Sequence, residues 1–376
     1  MTKTTAQTAR PESWQGARTF VVERKVAECD IITSFYLAPE DGAPLPSFEP
    51  GQFLALELDI PGEKDTVRRT FTISCSPTDP AFYRLTIKRE PPPPDQPDAP
   101  PGLSSNFFHD HVDVGTKINV KAPAGKFFLD VASDVPVVLL SGGVGLTPMI
   151  SMVNTIVDQG NGRDVWFIHG TRGRKEHALG DHVRQLAAKN ANVKTHTVYE
   201  KAGPDCVKGQ HYDSEGFITL ELLQDLLGGT DFEFYLCGPP AFMKVIYNVL
   251  YDWGADETRI HYEFFGPATV LREGAPPPDE AAQDSGAEDA GQGGTITFAQ
   301  SGRTAEWEPK FENLLEFAEA NGLAPASGCR DGICQTCMVE LMEGEVIYAE
   351  DPIIPPDPGF VLICQAKPNG DVTIDI

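Results

Sequence analysis

The chain has 376 residues, 41% hydrophobic and 23% charged, and 55 acidic against 30 basic side chains leave a formal charge of −25. That length exceeds one ordinary core and predicts two or three domains, while the acidic balance argues against nucleic acid and suits a basic protein partner. No run of eighteen apolar residues is present, so no membrane span is expected, and eight cysteines without dense spacing or a leader-like start predict a reducing, cytoplasmic setting.

Residues 1–17, beginning "MTKTTAQTARPESW", read as a loose tail. Residues 18–131 carry the short alternating runs "RTFVVERKV", "QFLALELDI", "TFTISC", "YRLTIKRE" and "KINVKA", separated by turn signals. This spacing predicts an antiparallel β-barrel or sandwich, with the barrel as the expected form. Inside it, "REPPPPDQPDAPPG" can be neither sheet interior nor helix. Residues 132–268 alternate strands and helices: "PVVLLSG" before a helix from Pro148, "DVWFIHG" before one around His177–Lys189, and "DFEFYLCG" before Pro240–Trp253. That alternation predicts a parallel α/β sheet. Residues 269–294 are acidic, rich in Pro and Gly and without periodicity, which predicts a flexible linker ahead of a third domain at 295–376.

Four places carry chemistry. In "RRTFTIS", Arg69 can fork onto a phosphate while Phe71 offers a flat face to an aromatic ring; an exposed edge strand is the plain alternative. In "GLSSNFFHDHV", Ser105 is expected to cap a helix whose free amides and dipole suit a pyrophosphate. In "LLSGGVGLTP", glycines allow close backbone approach, and Thr147 before Pro148 reads as a capped helix start. "YLCGPPAFM" sets Cys237 and Gly238 at a second strand end, where ligands of such sheets bind. In the tail, Cys329, Cys334, Cys337 and Cys364 give C-x4-C-x2-C with a distant fourth thiolate, the plant-type [2Fe–2S] spacing. Zinc, the rival, ordinarily takes two close pairs.

With these motifs in place, residues 18–268 resemble the flavin reductase half of flavohaemoglobins, within the ferredoxin–NADP reductase superfamily. The tail resembles a plant-type ferredoxin, a β-grasp domain. The resemblance implies FAD held by Arg69, Thr70, Phe71 and Thr72, by Gly102, Leu103, Ser104 and Ser105, and by Phe265. It implies NADH or NADPH at Gly143, Gly145, Thr147, Cys237, Gly238 and Pro239, with Thr72, Cys237 and Glu263 as the catalytic group. Phe71 departs from the family's usual tyrosine, so stacking survives and a hydroxyl contact is lost. The proline-rich stretch before Gly102 is foreign to the pattern.

The order flavin, nucleotide, ferredoxin is similar to reductase components of Rieske-type oxygenases and of the hybrid-cluster protein. The expected activity is therefore electron transfer from NAD(P)H through FAD and a [2Fe–2S] cluster to a separate acceptor protein, first of all a Rieske-type oxygenase. A metal-binding or sensing module on the same fold, without turnover, is the alternative of another class. Arg172, Arg174 and Lys175 after the second α/β strand could hold a 2′-phosphate, whereas the resemblance favours NADH.

Overall fold

A computed structural model describes residues 14, 16–64, 66–78, 81–92, 97–265, 271–272, 294–327, 330, 332, 335–348, 352 and 354–376. The first unit holds β1 (Arg18–Ala27), β2 (Ile32–Pro39), β3 (Phe53–Leu58), β4 (Val67–Thr72), β5 (Tyr83–Lys88), α1 (Leu103–His111) and β6 (Lys117–Val120). The strands run antiparallel in the order β4-β3-β6-β1-β2-β5. An Ile73–Leu85 bridge brings the two outer strands together, and the Ser74 amide donates to the Arg84 carbonyl at 2.8 Å, which closes the barrel.

Buried hydroxyls reinforce that seam. Thr86 Oγ1 lies 2.8 Å from both Ser34 Oγ and Ser74 Oγ, so each hydroxyl removed from water has a partner. Leu54, Leu56, Phe20, Phe35 and Tyr83 fill the interior. Helix α1 stoppers one side, its Phe108 ring edge-on to Phe35 and Phe71 at 5.1 and 5.2 Å.

The second unit holds β7 (Val137–Gly142), α2 (Leu146–Gln159), β8 (Val165–Thr171), α3 (Gly180–Lys189), β9 (Val193–Tyr199), β10 (Ser214–Glu215), α4 (Leu220–Leu227), β11 (Glu233–Cys237), α5 (Pro240–Trp253) and β12 (Ile260–Glu263). All six strands are parallel, in the order β10-β9-β8-β7-β11-β12. Successive residues of β7 serve opposite faces: Val137 and Leu139 pack under α2, Val138 and Leu140 under α5. The strand order reverses between β7 and β11, the switch point at which such sheets open a crevice.

Two expected starts move. Helix α2 begins at Leu146 behind a 3₁₀ turn over Gly143–Gly145, so Thr147 is not the cap; its hydroxyl instead donates to the Val144 carbonyl. Helix α3 begins at Gly180, three residues after His177. The expected Pro240–Trp253 helix is observed over those residues.

The third unit holds β13 (Thr295–Phe298), β14 (Arg303–Glu306), α6 (Leu314–Ala320), β15 (Met338–Glu343), β16 (Val346–Tyr348), β17 (Phe360–Leu362), β18 (Ala366–Pro368) and β19 (Val372–Ile374). Its mixed sheet runs β14-β13-β19-β15-β17, with β13 and β19 parallel, beside a β16-β18 ribbon. Asn313 caps α6 by accepting from the Glu316 amide.

The first two units share a boundary core in which Ile32, Phe127 and Leu129 pack with α2. Ser151 of α2 donates to the Cys75 carbonyl at 2.8 Å across it. At the edges of the expected tail and linker, Trp14 donates to the Val120 carbonyl, and buried Leu271 accepts from Asn248 of α5. Most of the linker, 273–293, lies outside the described residues. Among those described, no helix is long and apolar enough to cross a membrane.

A polar seam runs under the carboxyl ends of β7, β8 and β9. Ser141 and His169 lie abreast and bond at 2.8 Å, His169 stacks on His177, and His177 meets the Tyr199 hydroxyl at 2.9 Å. Burial holds both imidazoles neutral: His169 falls well below the usual 6.5, and His177 is pushed down to about 4. Their folded pKa values lie below the unfolded ones, so this stability is present above pH 6.5 and is lost as pH falls toward 4. The nucleotide domain should therefore lose stability between those values, His177 contributing on the order of 3 kcal/mol. His177→Gln should flatten the decline, read as melting temperature across that pH range.

Candidate redox site

The four expected flavin residues sit on β4, beside β3. Register places Phe71 opposite Leu54 and Arg69 opposite Leu56, whereas Thr70 and Thr72 oppose Ala55 and Phe53 and share the other side of the strand pair. Phe71 is half-buried against the barrel core and Phe108. Arg69 turns to the third unit and donates to Thr336 Oγ1 at 2.9 Å.

Helix α1 aims its amino end beside β5, with Gly102 as the N-cap and Leu103, Ser104 and Ser105 in the first turn. Ser105 is therefore not the cap. Its hydroxyl donates to the Gly102 carbonyl and accepts from the Glu90 amide, which fastens the helix start to the strand. Ser104 Oγ is buried and has no hydrogen-bond partner among the described residues. A buried hydroxyl without a partner beside unsatisfied first-turn amides suits an anionic ligand such as a pyrophosphate.

The nucleotide rim is set by backbone contact. A Cβ on Gly145 would overlap the Cys237 carbonyl, so only glycine lets the β7 turn nest against the end of β11. Gly143, at φ +53°, leaves open space beside the same turn, a cradle that a ligand can occupy. Parallel register sets Ser141, Cys237 and Glu263 side by side on β7, β11 and β12. Cys237 is fully buried, and burial, with the Glu263 carboxylate second, pushes its thiol well above the usual range. It is therefore a neutral S–H. Gly238 and Pro239 turn the chain from this strand into α5, while Phe265 is 45% exposed.

In the third unit, Cys337 and Cys364 are both buried with sulfurs 3.0 Å apart, and the Gly332 amide donates to Cys364 Sγ at 3.2 Å. Gly332, Arg330 and Gln335 all take left-handed backbone, at φ +65°, +60° and +57°. Two of these are not glycine, so the loop is curled at a cost that its contacts must offset. Two convergent sulfurs with an amide aimed at one of them fit an iron–sulfur cluster. Cys329 and Cys334 lie outside the described residues.

Sequence reasoning missed the residues that bring the third unit to the barrel. Lys121 follows β6 and donates to Gln335 Oε1 at 2.9 Å and Asp357 Oδ1 at 3.1 Å. Arg68 lies 3.6 Å from Asp357, and Ile354 is buried with Phe53 and Ala55. No local pattern marks a lysine whose partner is 214 residues away.

Comparison with known proteins follows the same division. Residues 21–129 match the oxidoreductase FAD-binding domain, 139–248 the oxidoreductase NAD-binding domain and 296–369 the 2Fe-2S iron-sulfur cluster binding domain. The FAD/NAD-binding domain of a nitric oxide dioxygenase from Vibrio cholerae is 34% identical and is covered in full by 67% of this chain, at a TM-score of 0.56. The chain belongs to this flavoprotein reductase family. The reductase is also 44% identical over 259 residues to the flavohemoprotein of Bacillus cereus, covering 69% of this chain and 63% of that one. It thus spans under two thirds of those relatives. Phthalate dioxygenase reductase, described as a modular structure for electron transfer from pyridine nucleotides to [2Fe-2S], shares the fold at 21% identity. That likeness covers 96% of this chain and 98% of that one, at a TM-score of 0.56. The reductase is an oxidoreductase whose cofactors are FAD, NADH or NADPH, and a [2Fe–2S] cluster.

Nesting of the β7 turn against β11 gives a direct test. Gly145→Ala should push the two loops apart and weaken NADH binding roughly tenfold, taking overpacking at about 1–3 kcal/mol. Titration of NADH against variant and wild type measures it; FAD content should not change.

Proposed function

We propose that this reductase delivers electrons from NADH to a separate acceptor protein, a Rieske-type oxygenase, in the cytoplasm. The observation that carries the reading is the seating of the cluster loop on the flavin barrel: Thr336, adjacent to Cys337, bonds Arg69 of β4. Donor and acceptor sites on adjoining domains are what an internal electron relay needs. The layout shared with phthalate dioxygenase reductase supports an oxygenase as the destination.

When bound, FAD would supply hydride-accepting chemistry and the cluster one-electron chemistry. The chain's part is to hold and orient. Arg69 and the first-turn amides of Gly102, Leu103, Ser104 and Ser105 neutralise the flavin phosphates. Phe71 supplies a stacking face, Phe265 a cover, and Thr70 and Thr72 hydroxyls along β4. Gly143, Gly145 and Thr147 receive the nucleotide, while Gly238 and Pro239 shape the nicotinamide end. Cys237 and Glu263 stand side by side there, a neutral thiol able to hydrogen-bond and a carboxylate able to hold charge beside the ring. Cys329, Cys334, Cys337 and Cys364 hold the irons.

Arg172 lies 3.6 Å from Glu176, and Arg174 points to the Asp205 carbonyl at 3.5 Å, so both guanidinium groups have local partners in place of a 2′-phosphate. NADH should therefore exceed NADPH in kcat/KM; equal values would contradict this reading.

Under anaerobic conditions NADH should bleach both the flavin and the iron–sulfur bands of the wild type, and an added Rieske protein should then be reduced. Cys337→Ser should lose its iron and the associated visible absorbance while NADH still bleaches its flavin. Wild-type protein whose iron centre stays oxidised after flavin bleaching would overturn the proposed route.

A further inference from the structure

Lys121 is 8% exposed, yet among the described residues both hydrogen-bond partners of its ammonium belong to the other side of a domain boundary. An ammonium taken out of water is tolerated only when it is paired and hydrogen-bonded. The barrel surface on which it lies is therefore matched to the cluster domain. Three further contacts converge there. Arg68 approaches Asp357 at 3.6 Å, Arg69 reaches Thr336 at 2.9 Å, and Ile354, 6% exposed, seats against Phe53 and Ala55. By register, Phe53 and Ala55 share their side of the β3–β4 pair with Thr72 and Thr70.

Gln335 is the pivot on the other side. It is buried, takes left-handed backbone at φ +57°, and stands between Cys334 and Cys337 in sequence. Its amide nitrogen donates to the carbonyls of Ile354 at 3.2 Å and Pro355 at 3.0 Å, and its oxygen accepts from Lys121. Both ends of one side chain are used, so the cluster loop is tied at once to the 354–357 segment and to the barrel. Non-glycine left-handed backbone persists only where surrounding contacts over-determine it.

We propose that Lys121 is a positioning residue with two coupled effects: it latches the iron–sulfur domain onto the flavin barrel, and through Gln335 it stiffens the loop that carries the cluster cysteines. The proposal rests on the flavin-to-cluster reading above. Docking and loop order then rise and fall together, so the domain that leaves the barrel to meet an acceptor is also the one with the looser cluster loop. Because the latch is an ammonium against a carboxylate and an amide, salt weakens it.

The test uses full-length holoprotein with Lys121→Gln, Lys121→Arg, and the exchange Lys121→Asp with Asp357→Lys. Stopped-flow mixing with NADH separates flavin bleaching from the later iron–sulfur bleaching, and hydrogen exchange follows the amides of 335–341 and 354–362. Lys121→Gln should keep its FAD and its flavin-bleaching rate, slow cluster reduction about tenfold or more, and exchange faster in both segments. Lys121→Arg should retain most of the wild-type rate, and the exchanged pair should recover part of it. Wild-type cluster reduction should slow as salt rises, and that dependence should flatten in Lys121→Gln. Unchanged exchange over both segments in Lys121→Gln would overturn the latch. That readout needs no electron flow, so it decides the latch even if the wild type never reduced its cluster, an outcome that would overturn the functional reading alone.

Discussion

The arrangement depends on one close approach of backbone to backbone. Strands β7 and β11 diverge into separate helices at the switch point of the parallel sheet, and the glycine turn after β7 lies directly against the carbonyl of Cys237. A side chain at Gly145 would hold these loops apart. With hydrogen there, the rim of Ser141, Cys237 and Glu263 forms a continuous floor, and the turn also packs beside β5 of the barrel. The nucleotide half and the flavin half meet at that point, and Ser151, on the helix that the turn begins, bonds the Cys75 carbonyl just beyond β4.

The iron–sulfur unit is organised by a different constraint. Its two described cluster cysteines are buried with sulfurs in contact, and the loop around them adopts left-handed backbone at positions where side chains resist it. Such curvature turns amide N–H groups inward, as Gly332 does toward Cys364 Sγ. The same curvature leaves the Gln335 side chain free to reach outward and meet the barrel. Internal strain and external docking therefore involve one residue.

Much of this was legible in the sequence. The parallel sheet shows in "PVVLLSG", "DVWFIHG" and "DFEFYLCG", apolar runs each followed by a helix, and the cysteine spacing announces its cluster. Strand β2 gave no comparable signal because every residue from Ile32 to Ala38 is buried, so no alternation marks it. The caps were misplaced for a shared reason. Ser105 and Thr147 are good N-cap residues, but a glycine stands at each true cap, and their hydroxyls satisfy carbonyls of the preceding turn instead. Lys121, Gln335, Ile354 and Asp357 left no trace, since docking across a domain boundary has no local periodicity.

The enclosed Cys237 thiol has a chemical consequence. Reduced flavins react with dioxygen, and the peroxide released attacks accessible thiolates. Sulfenic acid formation requires thiolate character and access, and Cys237 has neither, being sealed from solvent with its proton held on sulfur. The rim thus keeps a polarizable, hydrogen-bonding sulfur at its centre that is shielded from autoxidation.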